Sequence, residues 1–255
     1  MLRSFKAGSI LLLFALFCIF EAKFSFWVSR SDRENAIHEY LVAHPEMLRE
    51  MSVKLMEKDR ADQEAQFEQA LPEIRERLLA VDQQASSGNP KGDITIVEFY
   101  DVECPFCKAL TPELDRLVKD DEYVRVVYRE FPILGPASVV GARAEIAAEK
   151  QGLYGKLHAA LMADRTPEHQ LDEKHIFDLA GSVGLDVVRL KRDMEDPQIE
   201  KRIEANKADA AKLAISGTPG LIFLGPKNKE NFMSSRGMGY DEMKAKLAEL
   251  RLAAR

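Results

Sequence analysis

Two cysteines two residues apart, in Cys104-Pro105-Phe106-Cys107, are the side chains of this 255-residue chain whose types and spacing could do chemistry. They follow a β-patterned run, Ile94-Thr95-Ile96-Val97-Glu98-Phe99-Tyr100, and open a helical one. A thiol at a helix N-terminus faces unpaired backbone N–H groups and the positive end of the helix dipole, which favour the thiolate. Cys104 is therefore expected to be the more exposed of the two and the nucleophile. Cys107, one turn further in, is expected to be the thiol that resolves a mixed disulfide. Such a pair would cycle between dithiol and redox disulfide without any further cofactor. Pro105 suits the first helical turn and stiffens it. The third cysteine, Cys18, lies in an apolar N-terminal segment and reads as a small hydrophobe.

The elements that must position this pair are legible from patterning. Residues 93–100 predict a buried central strand, apolar on both faces apart from Thr95 and Glu98. Residues 107–118 predict a helix with Leu110, Leu114 and Leu117 on one side. A second strand is expected at 123–128, ended by Phe131-Pro132. The chain then reads as helical from about 137 to 214, broken at Gly181-Ser182-Val183-Gly184. Leu221-Ile222-Phe223-Leu224 predicts a third strand, and 241–252 a C-terminal helix with Asp241 near its cap. Strand, helix, strand, helices, strand and helix make an α/β order. The helical block is too long for one crossover, so an inserted subdomain is expected there.

Ahead of this domain, residues 31–85 predict a helical region. Ile37, Leu41, His44, Leu48, Met51 and Leu55 form one stripe, which Pro45 breaks into two short pieces. After the polar stretch 57–66 comes a second stripe, Phe67, Leu71, Ile74, Leu78 and Val81, with Pro72 suited to a first helical turn. The stripes are out of phase, so one continuous coiled coil is not expected. Ser86-Ser87-Gly88-Asn89-Pro90 reads as a linker. Arg3 and Lys6 precede an apolar run, residues 8–20, so residues 1–30 read as an export signal, cleaved or kept as an inner-membrane anchor. Export places the body of the chain where disulfides persist, in the periplasm. The formal net charge of −6, with no basic cluster, argues against nucleic acid as a partner.

The chain resembles the DsbA-like thiol:disulfide oxidoreductases of the thioredoxin fold. The resemblance rests on Val97 through Cys107, on Arg129-Glu130-Phe131-Pro132-Ile133-Leu134, and on Gly217-Thr218-Pro219, in that order. It covers about residues 92–254 and is nearest the Com1-like and ScsC-like branch with an N-terminal helical extension. It implies a thioredoxin-like fold with a helical insertion, over residues 86–255. It also implies that Pro219 is a cis-proline against the disulfide, so that Thr218 and Pro219, beside Pro105 and Phe106, shape the substrate face. Glu98 stands where relatives carry a buried acid that handles the Cys107 proton. Phe106 replaces the histidine of the strongest oxidants, and Asp101 and Glu103 add negative charge. A less acidic Cys104 and a less oxidising disulfide are expected. Implied partners are exported proteins with cysteines and a membrane redox protein, with residues 31–81 as a candidate homo-oligomer module.

Two other readings stay open. The pair could capture copper(I) through its soft thiolates, as the link of ScsC-like relatives to copper tolerance implies. Alternatively it is a passive structural clip, although so short a loop removes little unfolded-state entropy. A zinc site is not expected, because His38, His44, His158, His169 and His175 are scattered without ligand spacing and read as surface or packing residues.

Overall fold

The computed structural model describes residues 30–80, 85–167, 169–226, 231–234 and 237–255. The export segment with Cys18 lies outside the described residues, as does Val81 of the second stripe. Among the described residues no helix is long and apolar enough to cross a membrane. The chain divides into two compact units, Met1–Ala61 and Asp62–Arg255.

In the first unit, α1 spans Arg30–Ala43, and α2 begins at Glu46 and runs to Leu79. Pro45 does separate two helices, but the second is not short: it has 34 residues and continues through the polar stretch and through Pro72. Apart from Asp59 and Asp62, the polar stretch is built of Glu, Lys, Arg, Ala and Gln, which favour helix without an apolar stripe. Pro72 thus lies inside a helix and does not start one. Within this unit Ile37, Tyr40, Leu48, Met51 and Leu55 are all exposed.

The second unit is built on a five-stranded sheet in the order β1-β3-β2-β4-β5. β2 (Ile94–Tyr100) is central and buried along its whole length. It pairs in parallel with β3 (Val124–Glu130) and antiparallel with β4 (Gly220–Leu224). Two edge strands, β1 (Ser86–Gly88) and β5 (Asn231–Ser234), pair antiparallel with β3 and β4. Ser86-Ser87-Gly88, expected as linker, is therefore part of the sheet. It is short and polar, so its place is fixed by backbone pairing with β3 and not by an apolar pattern.

Even-numbered residues of β2 face one side of the sheet. There Ile94, Ile96 and Tyr100 join a core with α3 (Pro105–Asp120), α9 (Tyr240–Ala253) and the helical insertion. The insertion comprises α4 (Pro136–Ala148), α5 (Tyr154–Ala163), α6 (Glu173–Ser182), α7 (Val187–Asp193) and α8 (Pro197–Lys212). On the other face Val97 and Phe99 pack with Phe67, Leu71, Ile74 and Leu78 of α2. The second stripe, expected within an N-terminal module ending at 85, thus belongs to the core of the sheet domain. Gly141 of α4 sits so close to Val102 that a Cβ would lie 2.5 Å from its Cγ2. That glycine lets the insertion meet the turn that carries the cysteines.

Candidate functional site

The cysteine pair sits where the central strand hands over to α3. Cys104 is the N-cap of that helix, with Pro105 following in the first turn. Both side chains are thiols. Cys104 is more accessible than Cys107 only by degree, at 3% against 0% exposure. The expected exposed thiol is therefore mostly covered, and its sulfur lies 3.3 Å from the Thr218 carbonyl, to which the thiol donates. Pro105 is exposed, and Phe106 stands out at 71% exposure. Thr218 is half-buried and Pro219 buried, joined by a cis peptide bond.

The two sulfurs have opposite acidities. Cys104 is held down at about 6 by a hydrogen bond from the Cys107 thiol, by one from the Thr218 side chain, and by the backbone N–H groups of Cys107 and Phe106, against the cost of burial. Cys107 is pushed far up, first by burial and then by donating to Cys104 and by the nearby Glu98. At neutral pH this leaves one thiolate and one thiol in contact, the arrangement needed for attack and later resolution.

Asp101 and Glu103, expected to repel the thiolate, are both buried and engaged elsewhere. Asp101 accepts from the backbone N–H groups of Glu103, Ile133 and Leu134 at 2.9, 2.8 and 3.0 Å. Glu103 accepts from Ser138 Oγ at 3.2 Å and from the His169 N–H at 3.1 Å. Asp101 ties the active-site turn to the segment after β3, and Glu103 ties it to the insertion.

Glu98 lies beneath the pair, fully buried in β2, in register with Tyr128 of β3 and Leu221 of β4. Neither carboxyl oxygen has a hydrogen-bond partner. Burial pushes this group up to about 8, His158 opposes the rise, and Cys104, Asp115 and Glu145 add to it. A carboxyl poised near neutrality next to a thiol can take or return a proton.

Sequence reasoning missed the groups that surround Glu98. His158, one of the histidines expected at the surface or in packing, is buried, with Nδ1 2.9 Å from Glu145 Oε1. Glu145 is itself fully buried in α4, amid Ala142, Ala144, Ile146, Ala147 and Ala148. A lone acid inside an alanine-rich apolar run was the available signal. Among the described residues no cluster of three or more His, Cys, Asp or Glu side chains is arranged to hold a metal.

Comparison with known proteins agrees with this geometry. Residues 95–250 match the DSBA-like thioredoxin domain, and residues 34–62 match the copper resistance protein ScsC N-terminal domain. That second stretch contains no cysteine. The crystal structure of a thioredoxin-like oxidoreductase from Silicibacter pomeroyi is 37% identical, covering 70% of this chain and 98% of that one with a TM-score of 0.63. The probable disulfide bond formation protein D of Bacillus anthracis is 25% identical over 169 residues, 62% of this chain and 77% of that protein. A Na(+)/H(+) antiporter NhaA 3 of Salinispora tropica is 31% identical over 144 residues, 55% of this chain. The match spans only 22% of that antiporter's length. The chain belongs to the DSBA-like thioredoxin domain family.

Proposed function

We propose that this chain is an exported enzyme that forms or rearranges disulfides in periplasmic proteins by thiol–disulfide exchange at Cys104 and Cys107. The observation that carries this reading is the pairing, at one helix tip, of an acidic thiol at about 6 with a neighbour that stays protonated. Cys104 as thiolate attacks a client disulfide, or as half of the oxidised pair is attacked by a client thiolate. Either route passes through a mixed disulfide on Cys104. On the reducing route Cys107 then attacks Cys104 Sγ, the client sulfur leaves with the electron pair, and the Cys107 proton goes to the Glu98 carboxylate. On the oxidising route a second client thiolate attacks the client sulfur of the mixed disulfide, Cys104 leaves as the thiolate, and the Cys107 thiolate released earlier takes up a proton. The edge of backbone at Thr218 and Pro219 receives an extended client segment, and Phe106 offers an apolar contact beside it. No resident cofactor is required, and a membrane redox protein would reset the pair.

The test is direct. Cys107→Ser should trap client proteins on Cys104 as mixed disulfides, and Cys104→Ser should abolish both insulin reduction and refolding of a scrambled substrate. Retention of either activity in Cys104→Ser sinks the reading. The redox state of the pair in cells separates the directions: mainly disulfide for an oxidase, mainly dithiol for an isomerase or reductase.

The exposure of Ile37, Leu48, Met51 and Leu55 favours the isomerase direction, because these residues supply an apolar surface for joining copies of the chain. The match of residues 34–62 to an ScsC domain supports the same module. Copper(I) capture by the two thiols is a separate reading that the printed name of that match favours. It requires that the reduced protein hold copper against a competing chelator.

A further inference from the structure

Beneath the cysteines the structure leaves three buried polar atoms without partners on two side chains: both oxygens of Glu98 and Nε2 of His158. Unpaired polar atoms at full burial are costly and rare, and these lie in one neighbourhood. Glu98 and Tyr100 point to the same face of β2, and Tyr128 is the register partner of Glu98 on β3. The His158 ring packs on both tyrosines, with centroids 4.8 Å from Tyr100 and 4.3 Å from Tyr128. The imidazole therefore roofs the sheet face on which Glu98 lies.

The tautomer of His158 follows from its other nitrogen. Nδ1 faces the Glu145 carboxyl at 2.9 Å and so carries a hydrogen, which leaves Nε2 as the position of the second proton. Glu145 is fixed in turn. It accepts from the Tyr100 hydroxyl at 2.7 Å, Tyr100 meets the Tyr154 hydroxyl at 3.0 Å, and Tyr154 donates to Glu130 at 3.0 Å. Arg202 anchors Glu130 at 2.9 Å and so holds the far end.

We propose that His158, held by Glu145 and close to Glu98 without a hydrogen bond to it, is a positioning residue for the redox reaction: as an imidazolium it favours the Glu98 carboxylate, which is then free to accept the proton of Cys107. The proposal rests on the reading of Glu98 as the proton acceptor. In the resolution step the Cys104–client bond breaks and the Cys104–Cys107 bond forms. The client sulfur is reduced and the pair oxidised. The Cys107 proton moves to Glu98, beside the His158 imidazolium that faces Glu145. The charged and titratable groups around that imidazole are Glu98 and Tyr100 from β2, Tyr128 and Glu130 from β3, and Asp115 from α3. The insertion adds Glu145 from α4, Tyr154 from α5 and Arg202 from α8. The electrostatic directions agree: burial opposes a charged His158, but Glu145, Glu98 and Glu130 together outweigh it and hold the imidazole above its ordinary value, and His158 in turn opposes the rise of Glu98.

The test uses the full chain, reduced and mixed with a nitrobenzoate disulfide reagent. The first aromatic thiolate released reports the Cys104 mixed disulfide and the second reports its resolution by Cys107. In His158→Gln the pH limb of the second phase should move up by about one pH unit, making resolution about tenfold slower on the acid side. The circular dichroism spectrum should be unchanged. A superposable profile in His158→Gln, with a shifted one in Glu98→Gln, overturns the role of His158 and leaves that of Glu98. Unshifted profiles in both variants overturn both. Should His158→Gln not fold, imidazole nitrogen resonances decide. The His158 titration must change in Glu98→Gln, and an unaltered titration overturns the proposal.

Discussion

At the scale of single residues, the balance of charge at one helix tip sets the redox character of the pair. With Cys104 at about 6, less than one thiol in ten remains protonated at pH 7. Thiolate absorbance should therefore rise with a midpoint near 6 and vanish in Cys104→Ser. The strongest periplasmic oxidants hold this thiol near about 3.5 and reach about −120 mV. The weaker stabilisation of the thiolate here corresponds to about 70 mV, so equilibrium with glutathione should give a potential near about −190 mV. A value at or above about −130 mV would show that other groups stabilise the reduced form. Glu98 has a separate signature in stability. Below its ordinary value of 4.5 it is protonated both folded and unfolded, and pH has no effect through it. Between 4.5 and about 8 the unfolded chain releases the proton while the folded chain keeps it, so stability falls as pH rises. Above about 8 the loss is complete, at most about 5 kcal/mol. Glu98→Gln should match the native chain in urea unfolding at pH 4 and exceed it by several kcal/mol at pH 9, up to about that limit. Cys104, Cys107 and Glu98 stand out in the sequence because their chemistry is tied to one short motif. His158 and Glu145 do not, because their meeting depends on how two insertion helices fold back on the strand.

At the scale of elements, strong apolar runs located the three inner strands and α3 to within a few residues, since burial on both faces leaves a continuous signal. β1 and β5 gave none. Edge strands of three and four residues with polar composition are held by ladder bonds that no side-chain pattern encodes. The same limit affected α2, whose second stripe has a helical period but does not reveal what it packs against. Its destination is the sheet, where Ile74 and Leu78 are wholly buried. Ile74→Ala should therefore cost about 2–5 kcal/mol in urea unfolding, whereas Leu252→Ala, at an exposed site of α9, should cost well under about 1 kcal/mol. Equal costs would mean that Ile74 is not packed in the core. The insertion and the active-site turn meet at Gly141 and Val102. Gly141→Ala would force Val102 aside, since the added Cβ has 2.5 Å to its Cγ2. Slower exchange in Gly141→Ala, restored by adding Val102→Ala, would establish that contact as the one that seats the cysteine turn.

At the scale of the whole molecule, the contrast is between a sheet domain with a closed core and the described residues of the first unit, none of which is buried. Residues 30–61 contribute no side chain to either core cluster, while Ile37, Tyr40, Val42, Leu48, Met51, Val53, Leu55 and Met56 are all exposed. Isolated helices of this kind gain little in water without an apolar partner surface. Exposed apolar area on this scale is more than a monomeric protein ordinarily carries without function. Two copies or more would bury these stripes and bring several cysteine pairs into one particle, which a disulfide isomerase can use and a simple oxidase does not need. Sedimentation of the full chain should then give a mass of at least twice 28.8 kDa. Leu48→Glu with Met51→Glu should return the monomer with its near-ultraviolet spectrum intact. The same variant should keep insulin reduction, which needs one site, and lose the refolding of a scrambled substrate, which gains from several. A native chain that sediments as a monomer would leave the exposed stripe without this role and remove the main support for the isomerase direction.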